Sequence, residues 1–294
     1  MDHRPRRTAL TTMLPLSSLT SERARSLKGL LFDLDDTVLT RGVLSRNAFA
    51  ALWDLHDAGL RLVAVTGRPS GWGELLVRQW PIDGAVTENG AVHVVREGHT
   101  IVVHERCTMS QRQERRTRLD DLVGRIAGVV PEAVLTDDIS WRRSDVTWDI
   151  GEHMRLPSER VELISDAILR AGARTTRSSV HVHATFDVDD KASGAVSFLM
   201  KAFGEDAGNA VASYGFVGDS GNDAACFAAF ALTFGVANVR SALRRLVLPP
   251  RYVSARAMGD GFAEIARTLL ARRGVTRSAA SPEIAELEVR AVRV

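Results

Sequence analysis

The 294-residue chain carries 38 basic and 36 acidic side chains, and a formal net charge of +2 makes no electrostatic case for nucleic acid or an anionic membrane as partner. Hydrophobic residues at 45% and charged residues at 25% describe an ordinary globular protein, and no apolar run approaches the roughly 18 residues of a membrane span. Two distant cysteines, Cys107 and Cys226, fit neither a disulfide framework nor a zinc-site spacing; reduced thiols in a cytoplasmic protein are the plain reading.

The first 26 residues, MDHRPRRTALTTMLPLSSLTSERARS, are rich in Arg, Ser and Thr, with scattered apolar residues interrupted by Pro15 and no small-residue cleavage site. They read as a disordered leader, with Met13 as an alternative start. GLLFDL is then a short apolar run of the kind that forms a buried parallel strand. SRNAFAALWDLHDAG predicts a helix: Ser45 is the N-cap, Ala48, Leu52 and Leu55 repeat at helical spacing, and Gly59 ends it. RLVAVTG is a second strand, ending in Thr66, Gly67 and Arg68. A helix, GWGELLVRQW, and a third strand, GAVTEN, follow. This order is that of a doubly wound α/β sheet, in which ligands bind beyond the carboxyl ends of the strands.

The pattern then changes. AVHVVREGHTIVVHE predicts a hairpin turning at Glu97-Gly98. The stretch from Cys107 to Phe186 mixes a charged helix (QRQERRTRLDDLVGRIAG), a strand pair (DISWRRSDVTWDIG), an amphipathic helix (SERVELISDAILRAG) and a strand (SSVHVHATF), as an inserted α+β domain would. Doubly wound order resumes with the helix KASGAVSFLMKAFG, the strand SYGFVGDSGND, the helix AACFAAF, the strands LTFGVAN and YVSA, and the helix GFAEIARTLLARR. Beyond about Arg273 the chain reads as peripheral, with a short helix at PEIAELEVRAV.

Four polar clusters fall at strand ends or helix starts: Asp33/Asp35/Thr37, Thr66, Lys191, and Asp219 with Asn222 and Asp223. Each alone has a bland explanation as a turn, a loop start or a solvated helix residue. Together they pose a different problem. Asp33 and Asp219 both follow apolar β-runs, so both carboxylates project from one edge of the sheet, where like charges repel and unpaired burial is costly. Mg²⁺, a hard cation that prefers oxygen ligands and keeps waters for substrate phosphate, answers that repulsion. A threonine hydroxyl and a lysine ammonium nearby supply donors to a transferring phosphoryl group.

Asp33-Leu34-Asp35-Asp36-Thr37, Thr66, Lys191 in DDKASGA, and Gly218-Asp219-Ser220-Gly221-Asn222-Asp223 stand in the order of the four motifs of the haloacid dehalogenase superfamily, which the chain resembles from about Gly29 to Arg272. An insertion between the second and third motifs is the superfamily's C2 cap type, and VTENGA resembles the turn that precedes such caps. The resemblance therefore narrows to subfamily IIB, with its Cof-type, sucrose-phosphate and mannosyl-3-phosphoglycerate phosphatases. It implies a Rossmann-like core at 27–106 and 187–273, a C2 cap at 107–186, and a peripheral tail at 274–294.

It also implies roles. Asp33 is the nucleophile and Asp35 the acid/base. Asp33, Asp35 (through its backbone carbonyl), Asp219 and Asp223 hold Mg²⁺. Thr66, Gly67, Lys191 and Asn222 bind phosphoryl oxygens. Asp36 reads as loop chemistry rather than catalysis. Weaker candidates for substrate contact are Arg68, Glu88, Asn89, Arg143 and His183. For Arg68 an ion pair, and for Glu88 and Asn89 plain turn chemistry, are equally good readings; Trp141, Arg142, Asp145 and Trp148 belong with them on presumed cap strands. His181 and His183 alternate along a strand with no third ligand, which argues packing or substrate contact over zinc. The expected activity is a Mg²⁺-dependent phosphatase acting on a small phosphate ester, as monomer or homodimer. A phosphomutase, or a non-catalytic binding module on the same fold, are the alternatives.

Overall fold

The structure is a computed structural model and describes residues 13–275. In chain order its first part holds strand β1 (Leu14–Pro15), helix α1 (Ser21–Ser26), β2 (Gly29–Phe32), β3 (Leu39–Thr40), β4 (Val43–Leu44), α2 (Arg46–Asp57), β5 (Arg61–Val65), α3 (Ser70–Gln79), β6 (Gly84–Thr87), β7 (Val92–Glu97) and β8 (Thr100–Glu105). Then come α4 (Met109–Val129), β9 (Asp145–Asp149), α5 (Ser158–Arg170), β10 (Arg174–Arg177) and β11 (His181–Thr185). The last part is α6 (Lys191–Phe203), α7 (Ala207–Ser213), β12 (Tyr214–Gly218), α8 (Ala224–Ala229), β13 (Leu232–Gly235), β14 (Tyr252–Val253) and α9 (Met258–Arg273). Among the described residues no helix is long and apolar enough to cross a membrane.

Nine strands form one sheet in the order β1-β14-β13-β12-β2-β5-β6-β7-β8, parallel up to β6 and antiparallel from β6 to β7 and from β7 to β8. Successive side chains of a strand face opposite sides, and the apolar runs use both. Leu30, Phe32, Leu62 and Ala64 pack under α2, α3 and α9, whereas Leu31, Val63, Val65 and Phe216 pack under α6, α7 and α8. The α/β expectation therefore resolves into three layers, with the sheet buried on both faces. Ser45 caps α2 by accepting from the backbone N of Ala48 at 3.2 Å.

Strands β10-β11-β9, in the segment read from the sequence as the cap and so called, form a separate antiparallel sheet. Its two faces differ sharply. Val146, Trp148, Val182 and Ala184 bury against Leu119, Leu122 and Ile126 of α4 and Val161, Ile164 and Ile168 of α5. The alternate residues Asp145, Thr147, His181 and His183 are also buried, but they are polar. That second face lies against the core.

Several details differ from the sequence reading. Residues 13–26, read as disordered, are tied down: Leu14 and Pro15 pair with Tyr252 and Val253. Leu16, Leu19 and Ala24 are buried, and the Arg273 guanidinium donates to the carbonyls of Ala24 and Leu27 at 2.8 and 2.9 Å. A two-residue strand and a six-residue helix are too short to show periodicity. The hairpin turns at Gly98-His99, since Glu97 pairs with Thr100. DISWRRSDVTWDIG holds one strand, β9, because Ile139–Trp141 is a single 3₁₀ turn. The short α7 and the polar β10 give no apolar repeat and were not anticipated. The helix expected at PEIAELEVRAV falls outside the described residues.

One close approach positions the later site. Gly90, at φ +112°, packs on the first turn of α6; a Cβ on Gly194 would lie 2.3 Å from the Gly90 Cα, and one on Gly90 would lie 2.1 Å from the Asp190 carbonyl oxygen. These are backbone contacts that no rotamer relieves, so Gly194→Ala is expected to destabilise the protein by about 2–3 kcal/mol in urea unfolding. His93 on β7 is buried edge-on to Phe198, at 5.6 Å between ring centroids. Burial, then Arg106 and Lys201, pull its pKa down to about 4. A folded value below the unfolded one gives stability that is fully present above ~6.5 and lost as the pH falls toward 4. Between pH 7 and 5 the loss of unfolding free energy is expected to be about 2 kcal/mol smaller in His93→Phe than in the wild type.

Candidate active site at the carboxyl edge of the sheet

β12, β2 and β5 are neighbours in register, Val217 beside Phe32 and Phe32 beside Ala64. Their ends therefore place Asp33 level with Gly218 and Val65, and Asp219 and Thr66 one residue further on, at the same edge of the sheet. The fourth element arrives from the far side. Lys191 opens α6, and its Nζ donates to Asp33 Oδ1 at 2.7 Å and to Asp223 Oδ1 at 2.8 Å. Asp223 Oδ2 accepts from the backbone N of Asp219 and Ser220 at 2.9 and 3.0 Å, which folds the Gly218–Asp223 turn around it. Asp33, Thr66, Lys191, Asp219 and Asp223 are all buried.

Three carboxylates thus face one ammonium. Oxygens of Asp33, Asp219 and Asp223 lie within 4.8 Å of one another. Burial, which outweighs the attraction of Lys191, pushes Asp33 up to about 7, with Asp223 and Asp35 adding repulsion. Burial, Asp223 and Asp33 also raise Asp219 well above the carboxylate range. The donor set is all hard oxygen, and its excess negative charge is what a divalent cation would neutralise. Asp223 is taken up by the Lys191 ammonium and two backbone N–H groups, whereas Asp219 accepts only from a neutral hydroxyl and a neutral amide, so Asp33 and Asp219 would be the better placed ligands, with Asp223 holding Lys191 behind them.

The loop after β2 is shaped by the same cluster. Asp36 takes a left-handed φ of 55°, and its carbonyl accepts from Asn238 Nδ2 at 3.0 Å. The same Nδ2 donates to Asp219 Oδ2 at 2.8 Å, and Thr37 Oγ1 donates to Asp219 Oδ1 at 3.2 Å. Asn238 was missed from sequence, although it follows β13 much as Asp33, Thr66 and Asp219 follow their strands. Thr66 Oγ1 accepts from the backbone N of Arg68 at 3.0 Å, which leaves its hydroxyl hydrogen to donate. Asn222 Oδ1 accepts from Ser220 Oγ at 2.6 Å, which turns its amide nitrogen away from Ser220.

Most of the weaker candidates turn out to bind cap to core. Arg68 is buried and grips Asp35 with Nε and Nη2 at 2.9 and 2.8 Å, so the ion-pair reading is the one the structure contains. Glu88, read also as a substrate contact, is filled instead by the backbone N of Ser70 at 3.1 Å, Arg143 at 3.0 Å and Ser144 at 2.5 Å, and by the Ser144 hydroxyl at 2.7 Å. Arg143 reaches Ser70 Oγ at 3.1 Å and Glu105 at 3.3 Å, and lines a side cavity with Trp141 rather than the site. Arg142, a guess on sequence, donates to the Gly67 carbonyl at 2.9 Å and pairs with Asp145 at 3.1 Å. His183 gives its Nδ1 hydrogen to Asp145 at 3.0 Å, and its Nε2 and the Oδ1 of Asn89 are buried without a partner among the described residues. Both crowd Gly67, where a Cβ would lie 3.1 Å from the His183 ring and 3.2 Å from Asn89 Oδ1. Glu152, which had no sequence signal, joins Asp35, Asp36, Arg41, Arg68, Val180 and Met258 around a cavity of ≈ 410 Å³.

The family model described as haloacid dehalogenase-like hydrolase matches residues 30–114, which hold Asp33, Asp35 and Thr66. A solved protein from Thermoplasma acidophilum superposes with a TM-score of 0.65 at 16% identity, covering 83% of this chain and 98% of that one. The sucrose-phosphatase of Synechocystis sp. PCC6803, solved with sucrose and phosphate, gives 0.58 at 16% identity, covering 83% and 98%. A haloacid dehalogenase subclass IIB sugar phosphatase gives 0.56 at 17% identity, covering 85% and 100%. No curated protein matches the sequence. Residues 30–114 thus match a haloacid dehalogenase-like hydrolase model, and the chain as a whole has the fold of these solved neighbours.

Relief of carboxylate repulsion by a cation should be measurable as stability. Added divalent chloride is expected to raise the Tm, by about 2.7 kcal/mol of stabilisation at a hundredfold excess over Kd. Asp219→Asn is expected to abolish that response while unfolding no earlier than the wild type in EDTA. Differential scanning calorimetry reads both.

Proposed function

We propose that the protein is a Mg²⁺-dependent phosphatase that hydrolyses a small phosphorylated metabolite, a sugar phosphate, through a phosphorylated aspartate. The observation that carries this is the convergence of Asp33, Asp219, Asp223, Lys191 and Thr66 on one sheet edge, beside a cavity that also exposes Asp35. The similarity to sugar phosphatases of the same fold supports the substrate class.

Asp33 has one oxygen on Lys191, and its Oδ2 accepts no hydrogen bond among the described residues. That oxygen attacks phosphorus in line with the departing alkoxide. Lys191 Nζ, the Thr66 hydroxyl, the Gly67 backbone and the Asn222 amide donate to the phosphoryl oxygens as charge builds there. Asp35 gives a proton to the leaving oxygen, and its carboxylate then takes one from the water that cleaves the acyl phosphate. Asp33, the Asp35 backbone carbonyl and Asp219 would hold Mg²⁺, which when bound would supply neutralisation of phosphate charge. The cap shields the acyl phosphate from bulk water and reads the sugar.

Phosphate release from a panel of sugar phosphates, with and without Mg²⁺, tests the reading. Asp33→Asn is expected to lower kcat by about 10⁴-fold or more, and Asp35→Asn by about 10²–10⁴ on alkyl esters. Full activity in Asp33→Asn would remove the nucleophile assignment. Isomerised sugar phosphate without net phosphate release would favour the mutase.

A further inference from the structure

The Arg68 guanidinium serves two carboxylates from two parts of the protein. On the core side it holds Asp35 through Nε and Nη2. On the cap side Nη2 and Nη1 reach Glu152 at 2.6 and 3.2 Å, with Asp138 a further 3.7 Å contact. It stacks on Trp72 at 4.6 Å, and only 3% of its side chain is exposed. With so little of it exposed, the guanidinium depends on these carboxylates for its desolvated charge.

Glu152 is itself held ready. Asp149 accepts from the backbone N of Gly151, Glu152 and His153 at 2.9, 2.8 and 2.9 Å, which fixes the loop that follows β9. His181 Nε2 lies 2.7 Å from the Glu152 carboxylate. Burial opposes ionisation of Glu152, but His181 and Arg68 hold its pKa at about 2, so it is an anion. Asp149, Glu152 and His181 all belong to the cap segment, and Asp35 and Arg68 to the core.

We propose that Glu152 is a positioning residue through which the cap, when docked, pins Arg68 and so aims Asp35 at the leaving-group oxygen. With Glu152 in place the fork of Arg68 is fixed at both ends and Asp35 keeps one orientation toward the cavity they share. With Glu152 absent, Arg68 retains Asp35 but loses its outer anchor, and the pair swings together. The proton transfer at stake is the one from Asp35 to the departing oxygen. As Asp33 forms its bond to phosphorus and the ester P–O bond breaks, the bonding pair stays on that oxygen, and the proton lets an alcohol leave neutral. An aryl ester leaves as a stable phenolate and needs no such proton.

The proposal rests on the phosphatase reading, and leaving-group dependence separates the two. Glu152→Gln keeps the shape of the side chain and removes its charge. It is expected to slow alcohol release from hexose phosphates in a single turnover 10- to 100-fold, a share of the 10²–10⁴ that positioned acid catalysis contributes, while changing the single-turnover burst of p-nitrophenolate from p-nitrophenyl phosphate less than threefold; the later cleavage of the acyl phosphate, where Asp35 acts as base, is common to both esters. Arg68→Lys, which keeps the charge and loses the fork, is expected to show the same split. Equal losses on both esters, or none on either, in a folded variant of an active enzyme would overturn the positioning role alone. A wild-type protein that turns over neither ester would overturn the phosphatase reading and this inference with it.

Discussion

The Lys191 ammonium, buried between Asp33 and Asp223, is the interaction around which the molecule is arranged. It joins the start of α6 to the ends of β2 and β12 across 158 residues of chain. Desolvating that cation without partners would cost several kcal/mol, and the two carboxylates would be as costly without it. Neither half can be buried alone, so the pairing fixes where α6 enters the sheet. The Gly90–Gly194 approach is the steric side of the same constraint, because only a backbone without Cβ atoms lets the helix start come that close. Once Lys191 is placed, Asp219 is left, among the described residues, with only the neutral donors Thr37 and Asn238.

The cap is attached by a similar logic. Its inner face is polar and buried, so most groups there take partners, with His183 Nε2 an exception among the described residues. Many of those partners lie in the loops that follow β5 and β6, with Arg142 on the Gly67 carbonyl and the Glu88 carboxylate on the backbone of Ser144. Buried ion pairs of this kind contribute little net stability compared with apolar packing, but breaking one is costly. They specify one docked geometry more than they add cohesion. That geometry leaves a cavity beside Asp35, with Arg41 and Gly42 of the β3–β4 hairpin on one side and cap loops on the other.

Legibility followed the range of each interaction. The strands that carry Asp33, Thr66 and Asp219 announce themselves as apolar runs ending in polar residues, and the Ser45 cap and helical spacing of α2 are local facts. Local sequence also marked Lys191 as a helix start. What it could not mark was Glu152, in a loop with no period, or Asn238, whose amide nitrogen donates across 202 and 19 residues. Glu88 shows the reverse error. A carboxylate beside an Asn-Gly turn looks available for substrate, and only the approach of Ser144, 56 residues on, shows that it is already filled.

The sequence by itself determined the α/β architecture and the set of carboxylates that must meet, because hydrophobic period and strand direction are set by neighbours along the chain. Tertiary structure alone decided how those carboxylates divide their partners. It gave Lys191 to Asp33 and Asp223, Asn238 and Thr37 to Asp219, and Arg68 jointly to Asp35 and Glu152. Hydrogen-bond partnership depends on ångström-scale distance in a desolvated space, and residues far apart in the chain acquire such distances only when the core and cap close on each other.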